Sequence, residues 1–369
     1  MNAYSKIQKS LSLFMFITIN IFFYFKYLSK ISVVWGTVVS LLYIIFMLLL
    51  IKYRPTWKRK TVTSALVAFI AAAAVLLFFI PKELFTADRW LIIDLFWNSV
   101  SNDLYPYAQQ TAIGNSPGAM PFYFLLCLPF HYLGEIGFIT LVAIALLSIY
   151  FYRKSVQSYT LFFIFLASSA CIYWEIFSRS TLLINTTLFS LFLWILNAYP
   201  RFSNRMWLGS ALVGGLLFSM RTVFVLPLIV WGLYQLFHEK VKPLKLIGWG
   251  VVFLLAFAVT FLPFIVAYPH DFWEINPFLI QSTLVPSIFI AIFVVLAIIG
   301  SFFCHNNADV NFFSVVLLFG IVTVHVITAI YRYGLEAVIF ESRADISYYI
   351  FCIPYLLLIL TDKSVAVKK

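Results

Sequence analysis

The chain has 369 residues, of which 63% are hydrophobic and 11% are charged, and its formal net charge at pH 7 is +11. The hydrophobic fraction lies well above the roughly 45–50% of soluble globular chains, so a soluble domain is excluded and a polytopic membrane protein is predicted. The positive charge does not indicate nucleic-acid binding, because most Lys and Arg residues sit in short loops between apolar segments. The four cysteines are dispersed, so neither a disulfide framework nor a CxxC metal site is indicated.

Apolar segments long enough to cross a bilayer recur along the whole chain. Because a crossing helix needs roughly 20 mostly apolar residues, the sequence predicts an all-α, single integral-membrane domain over 1–369 with about twelve transmembrane helices. The first helix is expected to be retained, since it runs into Lys26 and Tyr27 without a small-residue cleavage site. The predicted helices are 11–27, 32–51, 64–81, 136–152, 158–174, 181–199, 206–220, 222–237, 246–268, 284–303, 311–331 and 346–361.

The stretch 119–134, AMPFYFLLCLPFHYLG, is apolar but short, and it contains Pro121 and Pro129. We predict that it is a re-entrant segment, which enters the membrane without crossing. With both termini inside, this choice puts most basic loop residues, including the cluster at 52–60, on the cytoplasmic side, as the positive-inside rule requires. Most acidic residues then face outwards. The Phe-, Ile- and Lys-rich composition favours a bacterial cytoplasmic membrane, with the endoplasmic reticulum as the alternative.

The longest predicted outer loop, 82–118, contains Asp88, Asp94 and Asp103. Around Asp94 the sequence RWLIIDLFWNSV is dense in Trp, Leu, Ile and Phe, which is typical of an interfacial helix. Asp88 begins this helix, so a helix N-cap is the alternative to a functional role. Asp94 follows roughly 240° around the helix, so these two carboxylates cannot share one face. Asp103 is expected to cap the turn SNDLYPY.

Arg221 interrupts a long apolar run in GLLFSMRTVFVLPL. An ionisable group at membrane depth is costly unless it faces a cavity or a partner, so the alternatives are a snorkelling arginine at a helix turn and a buried anion site. His270 is a lone loop histidine, and His325, inside 311–331, is expected to be a hydrogen-bonded core histidine. The sequence has no HxxxH, DxD or HExxH cluster, so no metal site is predicted.

The acidic outer loop, the Pro-containing apolar segment and the apolar run with Arg221, in this order, resemble integral-membrane glycosyltransferases of the GT-C superfamily. The resemblance is nearest to the bacterial branch that uses polyprenyl-phosphate sugars. The resemblance covers 80–350. It rests on DRWLIIDLFWNSVSNDLYPY followed by PGAMPFYFLLCLP, then on SMRTVFVLPL, and then on FLPFIVAYPHDFW. The chain departs from the family pattern because two extra helices precede the acidic residue, and because arginine stands at a basic position where lysine is also common.

The resemblance implies an enzyme that moves a hexose, such as mannose, from a polyprenyl-phosphate-sugar donor to a glycan or glycolipid acceptor on the outer face, without a cofactor. Asp88, with Asp94 in reserve, would accept the proton of the acceptor hydroxyl, and Arg221 would hold the departing phosphate. A single displacement would invert the anomeric carbon. Weaker candidates for the donor phosphate are Arg179, Arg332, Arg343 and His270.

Three other functions stay open at the level of the sequence. A transporter or flippase for lipid-linked glycans would bind and move its substrate, although transporter sites usually lie near the bilayer midplane rather than at the outer face. A polymerase or ligase of surface glycans would share an outer-face acceptor site. A purely structural membrane subunit would not require Arg221 at membrane depth.

Overall fold

The computed structural model of the protein describes residues 3–84, 87–112, 114–198, 203–341 and 345–362. No β-strand occurs among these residues, which confirms the all-α prediction. The helices are α1 (Ala3–Leu28), α2 (Val33–Tyr53), α3 (Arg59–Phe79), α4 (Arg89–Ser101), α5 (Pro121–Tyr132), α6 (Phe138–Tyr152), α7 (Val156–Ala167), α8 (Ala170–Phe177), α9 (Leu182–Ala198), α10 (Asn204–Phe218), α11 (Val225–Phe237), α12 (Pro243–Val259), α13 (Leu262–Ala267), α14 (Pro269–Glu274), α15 (Pro277–Ser282), α16 (Ser287–Phe302), α17 (Asn307–Tyr333), α18 (Leu335–Ile339) and α19 (Ile353–Thr361).

Helix length identifies a membrane protein. Within the described ranges, α1, α2, α3 and α17 are the 4 helices long and apolar enough to cross a bilayer, and the number rises to 6 if two bent helix pairs each form one span. Further apolar helices, including α6, α9 and α12, have 10–17 residues. The twelve crossings and the re-entrant segment therefore stay predictions.

The predicted continuous helix 158–174 is divided in the structure. Helix α7 ends before Ser168, and α8 leaves at an angle of 63°. No proline causes this break. Instead, side chains of α1 bind the polar groups at the break: the Tyr24 hydroxyl donates to the Ser168 carbonyl oxygen at 3.0 Å, and Ser169 Oγ donates to Asn20 Oδ1 at 2.8 Å. The bend is stable because α1 supplies hydrogen-bond partners in an apolar interior.

Helix packing leaves an apolar outer surface. Helix α17 packs against α11, α16 and α19, while α10 packs closely on α12. At the α10–α12 contact a Cβ on Gly215 would collide with the Phe253 carbonyl oxygen, so this approach requires glycine. Large apolar side chains remain exposed on the outward sides of the bundle, such as Leu42, Phe79 and Ile288, as expected where lipid is the solvent.

Loops and helix ends meet at two opposite ends of the bundle. At one end, which we call the basic end, Arg59 donates to the Lys154 carbonyl oxygen at 2.8 Å, and Lys9 Nζ donates to the carbonyl oxygen of Asp362 at 2.7 Å. The opposite end carries the segment that precedes α4, the whole of α5 and the segment between α18 and α19. We call it the acidic end, after the Asp88 and Asp345 side chains discussed below.

Helix α5 has both of its ends at the acidic end. Near its start, the Tyr123 amide donates to the Ser219 carbonyl oxygen at 3.2 Å, just after α10. Beyond its last residue, the Gly134 carbonyl oxygen accepts a hydrogen bond from Lys82 Nζ at 2.9 Å, just after α3. Both ends of α5 therefore contact segments that lie at the acidic end.

Candidate functional site

A cavity of about 1020 Å³ opens at the acidic end of the bundle. Segments that are far apart in sequence form its wall: the start of α4, the chain before α5, the break between α10 and α11, the chain after α15, the middle of α17 and the segment before 346. The charged and polar side chains that line it include Lys30, Asp88, Arg89, Asn115, Arg221, Gln281, His325, Glu341, Asp345 and Tyr348.

Asp88 lies on this wall, half-buried, immediately before α4. It occupies the N-cap position, but its side chain makes no capping hydrogen bond, and its backbone angles are φ −94° and ψ 10°. Instead, Asn115 Nδ2 donates to Asp88 Oδ2 at 2.7 Å. Asp88 thus stands at the N-cap position that the sequence raised as the alternative, but without a side-chain capping hydrogen bond, and it also lines the cavity.

Arg221 lies on the same wall, in the break between α10 and α11. Its backbone is extended, with φ −153°. Its residue is 9% exposed, its guanidinium carbon lies 5.4 Å from the centre of the Tyr123 ring, and its Nε has no hydrogen-bond partner in the described part of the chain. A buried cation whose N–H donor is left unpaired at a cavity wall is suited to binding an anion. The structure thus brings Asp88 and Arg221, which are 133 residues apart in sequence, to one cavity.

Arg89 and Asp345 form an ion pair in the cavity wall. Arg89 also donates to Ser347 Oγ at 2.8 Å, and its guanidinium carbon lies 5.1 Å from the centre of the Tyr348 ring. Burial tends to raise the pKa of Asp345, but the Arg89 charge and the Ser347 hydrogen bonds outweigh it, so this pKa lies below its usual value. The Asp345 side chain is 42% exposed because it faces the cavity, and it is ionised at neutral pH. Sequence reasoning missed it.

A second, apolar cavity of about 260 Å³ joins the large one. The two share Arg221 and His325, so both side chains stand where the polar and apolar spaces meet. His325 Nδ1 lies 2.8 Å from the Leu284 carbonyl oxygen, which fits the predicted hydrogen-bonded histidine, while Nε2 has no partner among the described residues. The apolar walls come from α11, α15, α16 and α17 and from the segments just before α11 and α19, through residues that include Val223, Leu226, Phe278, Ile290, Ile321 and Phe351.

The other sequence candidates lie elsewhere. Asp94 pairs with His131, whose Nδ1 is 2.6 Å from Asp94 Oδ1, and it does not line the cavity. Asp103 sits in a turn with a left-handed φ of 54°, as its turn sequence suggests. Arg332 and His270 are exposed and away from the cavity wall. Arg343 lies outside the described residues.

Arg179 is likewise away from the cavity, because it is paired inside the protein. Its side chain is 1% exposed, and its Nε lies 3.2 Å from Glu135 Oε1. It also donates to the Leu77 and Ile80 carbonyl oxygens at 2.6 and 2.7 Å. These bonds join the end of α3 to the segment after α8, so the contacts of Arg179 are structural. In the described ranges no group of three or more His, Cys, Asp or Glu side chains could hold a metal ion.

The chain matches no protein-family model, and no curated protein or solved structure is significantly similar to it. Inferences about function therefore rest on the cavity, its charged side chains and the apolar cavity that joins it.

Proposed function

We propose that the protein is a membrane glycosyltransferase that transfers a hexose from a polyprenyl-phosphate sugar to a glycan or glycolipid acceptor, with Asp88 as the base and Arg221 as the ligand of the donor phosphate. The observation that carries this proposal is the presence of Asp88 and Arg221 on the wall of one large cavity, with an apolar cavity beginning at Arg221. The polyprenyl-phosphate donor has the matching chemistry: an apolar tail, an anionic phosphate and a polar sugar.

The apolar cavity is suited to the first part of the polyprenyl chain. Its walls are apolar side chains, so isoprenyl carbon can enter it from the bilayer without losing an apolar environment. Arg221 and His325 stand at the mouth, where the phosphate would lie. A guanidinium matches the geometry of phosphate oxygens and keeps its charge at every physiological pH. The sugar would then project into the large cavity, towards Asp88.

The proposed reaction is a single displacement. The acceptor hydroxyl oxygen attacks the anomeric carbon, the bond from that carbon to the phosphate oxygen breaks, and the electron pair leaves with the polyprenyl phosphate. Asp88 accepts the hydroxyl proton, while Arg221 stabilises the charge that develops on the phosphate. One base and no second nucleophile give inversion at the anomeric carbon. Asp345 is a weaker candidate for the base, because its ion pair with Arg89 holds the proton affinity of its carboxylate down.

The proposed location is a bacterial cytoplasmic membrane with the acidic end facing outwards. The longer helices of the bundle would make up the twelve crossings expected from the sequence, with α5 as the re-entrant segment. The gathering of basic loops at the opposite end supports this orientation, since such loops are retained on the cytoplasmic side.

The test is a transfer assay in proteoliposomes supplied with a membrane-extracted pool of lipid-linked sugars and acceptors. Asp88→Asn should lower turnover by about 10²–10⁴-fold, the usual contribution of a general base, while donor binding is retained. Asp94→Asn is the matched control, because it removes a carboxylate from α4 that does not line the cavity. Loss of activity in Asp94→Asn with full activity in Asp88→Asn would move the role to Asp94.

Two further outcomes would reject the mechanism. Full activity in all three single variants, Asp88→Asn, Asp94→Asn and Asp103→Asn, would show that no aspartate of this loop is the catalytic base. Movement of the lipid-linked sugar across the bilayer, with the sugar–phosphate bond intact, would identify a flippase instead. Mass spectrometry of the extracted lipids separates chemical transfer from movement.

A further inference from the structure

The basic end of the bundle contains a groove of about 200 Å³ that takes no part in the proposed transfer. It lies beside the first turns of α1, whereas Lys30, just after α1, lines the large cavity. At a rise of 1.5 Å per residue the two sites are about 30 Å apart along α1, which is about the thickness of a bilayer core.

Three cations line this groove, and no acidic side chain of the described residues lines it, although the nearby Asp362 charge acts on Lys9. Lys6 and Arg54 are exposed, and Lys9 is half-buried with one of its three donors used on the Asp362 carbonyl oxygen. Arg54 is held at the end of α2, since its amide donates to the Leu50 carbonyl oxygen at 2.9 Å. Like charges gathered at one groove repel each other, and an anion bound among them relieves that repulsion.

Below the cations the groove is apolar. Leu13, Ile51 and Leu360 lie beside the buried Leu161 and Phe165. A small hydrophilic anion would leave this surface uncovered, whereas an acyl chain would cover it. The groove is too small for a whole lipid, but the neighbouring α2 exposes further apolar side chains, such as Leu48 and Leu49, along which chains can continue.

We propose that this groove binds an anionic phospholipid, with the phosphate held by Lys6, Lys9 and Arg54 and an acyl chain lying against Leu13 and Phe165. Two observations support this occupant. The three cations complement the charge of a lipid phosphate, and they lie at the ends of two apolar helices long enough to span a bilayer. The inference does not depend on the transferase activity proposed for the opposite end.

The experiment measures lipid adducts by native mass spectrometry of the full chain, titrated with phosphatidylglycerol or with phosphatidylcholine of the same acyl chains. The parent protein should bind phosphatidylglycerol at least about tenfold more tightly, since each basic group near a lipid surface adds to anion attraction. The triple variant Lys6→Gln, Lys9→Gln, Arg54→Gln should lose this preference. The double variant Lys6→Gln, Arg54→Gln, which keeps the bond from Lys9 to Asp362, should lose most of it.

The matched control is the triple variant Lys52→Gln, Lys58→Gln, Lys60→Gln. It removes the same charge from exposed residues in and beside the loop between α2 and α3, and none of them lines the groove. The control should keep the preference for phosphatidylglycerol. Equal loss in both triple variants, or equal binding of the two lipids by the parent, would overturn the proposal. Glycerol 3-phosphate is the soluble ligand for comparison. If it binds as tightly as phosphatidylglycerol, the groove is a site for a free phosphate and the lipid assignment is overturned.

Discussion

Replacing Arg221 tests the donor site most directly. Arg221 is almost buried, and its Nε lacks a hydrogen-bond partner among the described residues, so a bound phosphate would receive donors that no protein group uses. Hydrogen bonds to charged groups contribute about 1.5–3 kcal/mol each. Two such bonds, reduced by the solvent in the cavity, give about 3–4 kcal/mol, or roughly 10²–10³-fold in Kd. We expect that loss in Arg221→Ala.

Two other variants define the chemistry of this effect. Arg221→Lys keeps the charge but loses the planar pair of donors, so we expect about a tenfold loss of affinity. Arg332→Ala is the matched control, because Arg332 is an exposed arginine that does not line the cavity. Exposed charges are screened, so the affinity of this variant for the prenyl phosphate should stay within about twofold of that of the parent protein. The unfolding temperature of each variant checks that the loss of the Arg221–Tyr123 contact has not disrupted the fold.

The assay is equilibrium binding of a radiolabelled short-chain prenyl phosphate to the purified protein in detergent. Parent-like Kd values for both Arg221→Ala and Arg221→Lys would refute the assignment of the phosphate to Arg221. A loss of affinity in Arg332→Ala equal to that in Arg221→Ala would show that the protein attracts the ligand through overall charge rather than through this site.

Two further predictions concern stability and orientation. Arg179→Ala should lower the free energy of unfolding by about 3–5 kcal/mol, because it leaves Glu135 buried without its cation. Replacing both Arg179 and Glu135 by apolar residues should lower the free energy of unfolding by less. Thermal unfolding in detergent compares the two variants. Single cysteines at Ser155 and Lys242, introduced without the native cysteines, should resist an impermeant thiol reagent added to intact cells if the basic end faces the cytoplasm as proposed. Labelling of either cysteine would overturn this orientation.

Arg221 and Arg179 show what a single sequence can and cannot reveal. Arg221 interrupts an apolar run, which marks it as costly at membrane depth, whereas Arg179 stands between Ser178 and Ser180 in a predicted outer loop. The sequence does not show that Arg179 meets Glu135, which lies 44 residues earlier, or that Arg221 meets a cavity. Such pairings depend on how distant helices pack, and hydrophobic periodicity carries no information about them. The all-α fold was predictable because composition and segment length suffice for it.

Asp345 and the α7–α8 break were missed for related reasons. Asp345 lies in a loop with several other charged residues, and only its position before the run ISYYIFC could have distinguished it as a helix cap. In the structure its Oδ1 accepts a hydrogen bond from the Ser347 amide at 2.9 Å. The break at Ser168 contains neither proline nor glycine, and it depends on hydrogen bonds from α1, more than a hundred residues away. Local sequence gives no signal for this break.

The junction between the large cavity and the apolar one has a kinetic consequence for the proposed reaction. The donor and the spent polyprenyl phosphate carry the same tail and the same phosphate, so both would occupy the apolar cavity and the position at Arg221. The spent carrier would compete with fresh donor, while the glycosylated acceptor would leave through the polar opening. Turnover would then be limited by sideways escape of the carrier into the bilayer, and it would rise when another enzyme removes that carrier.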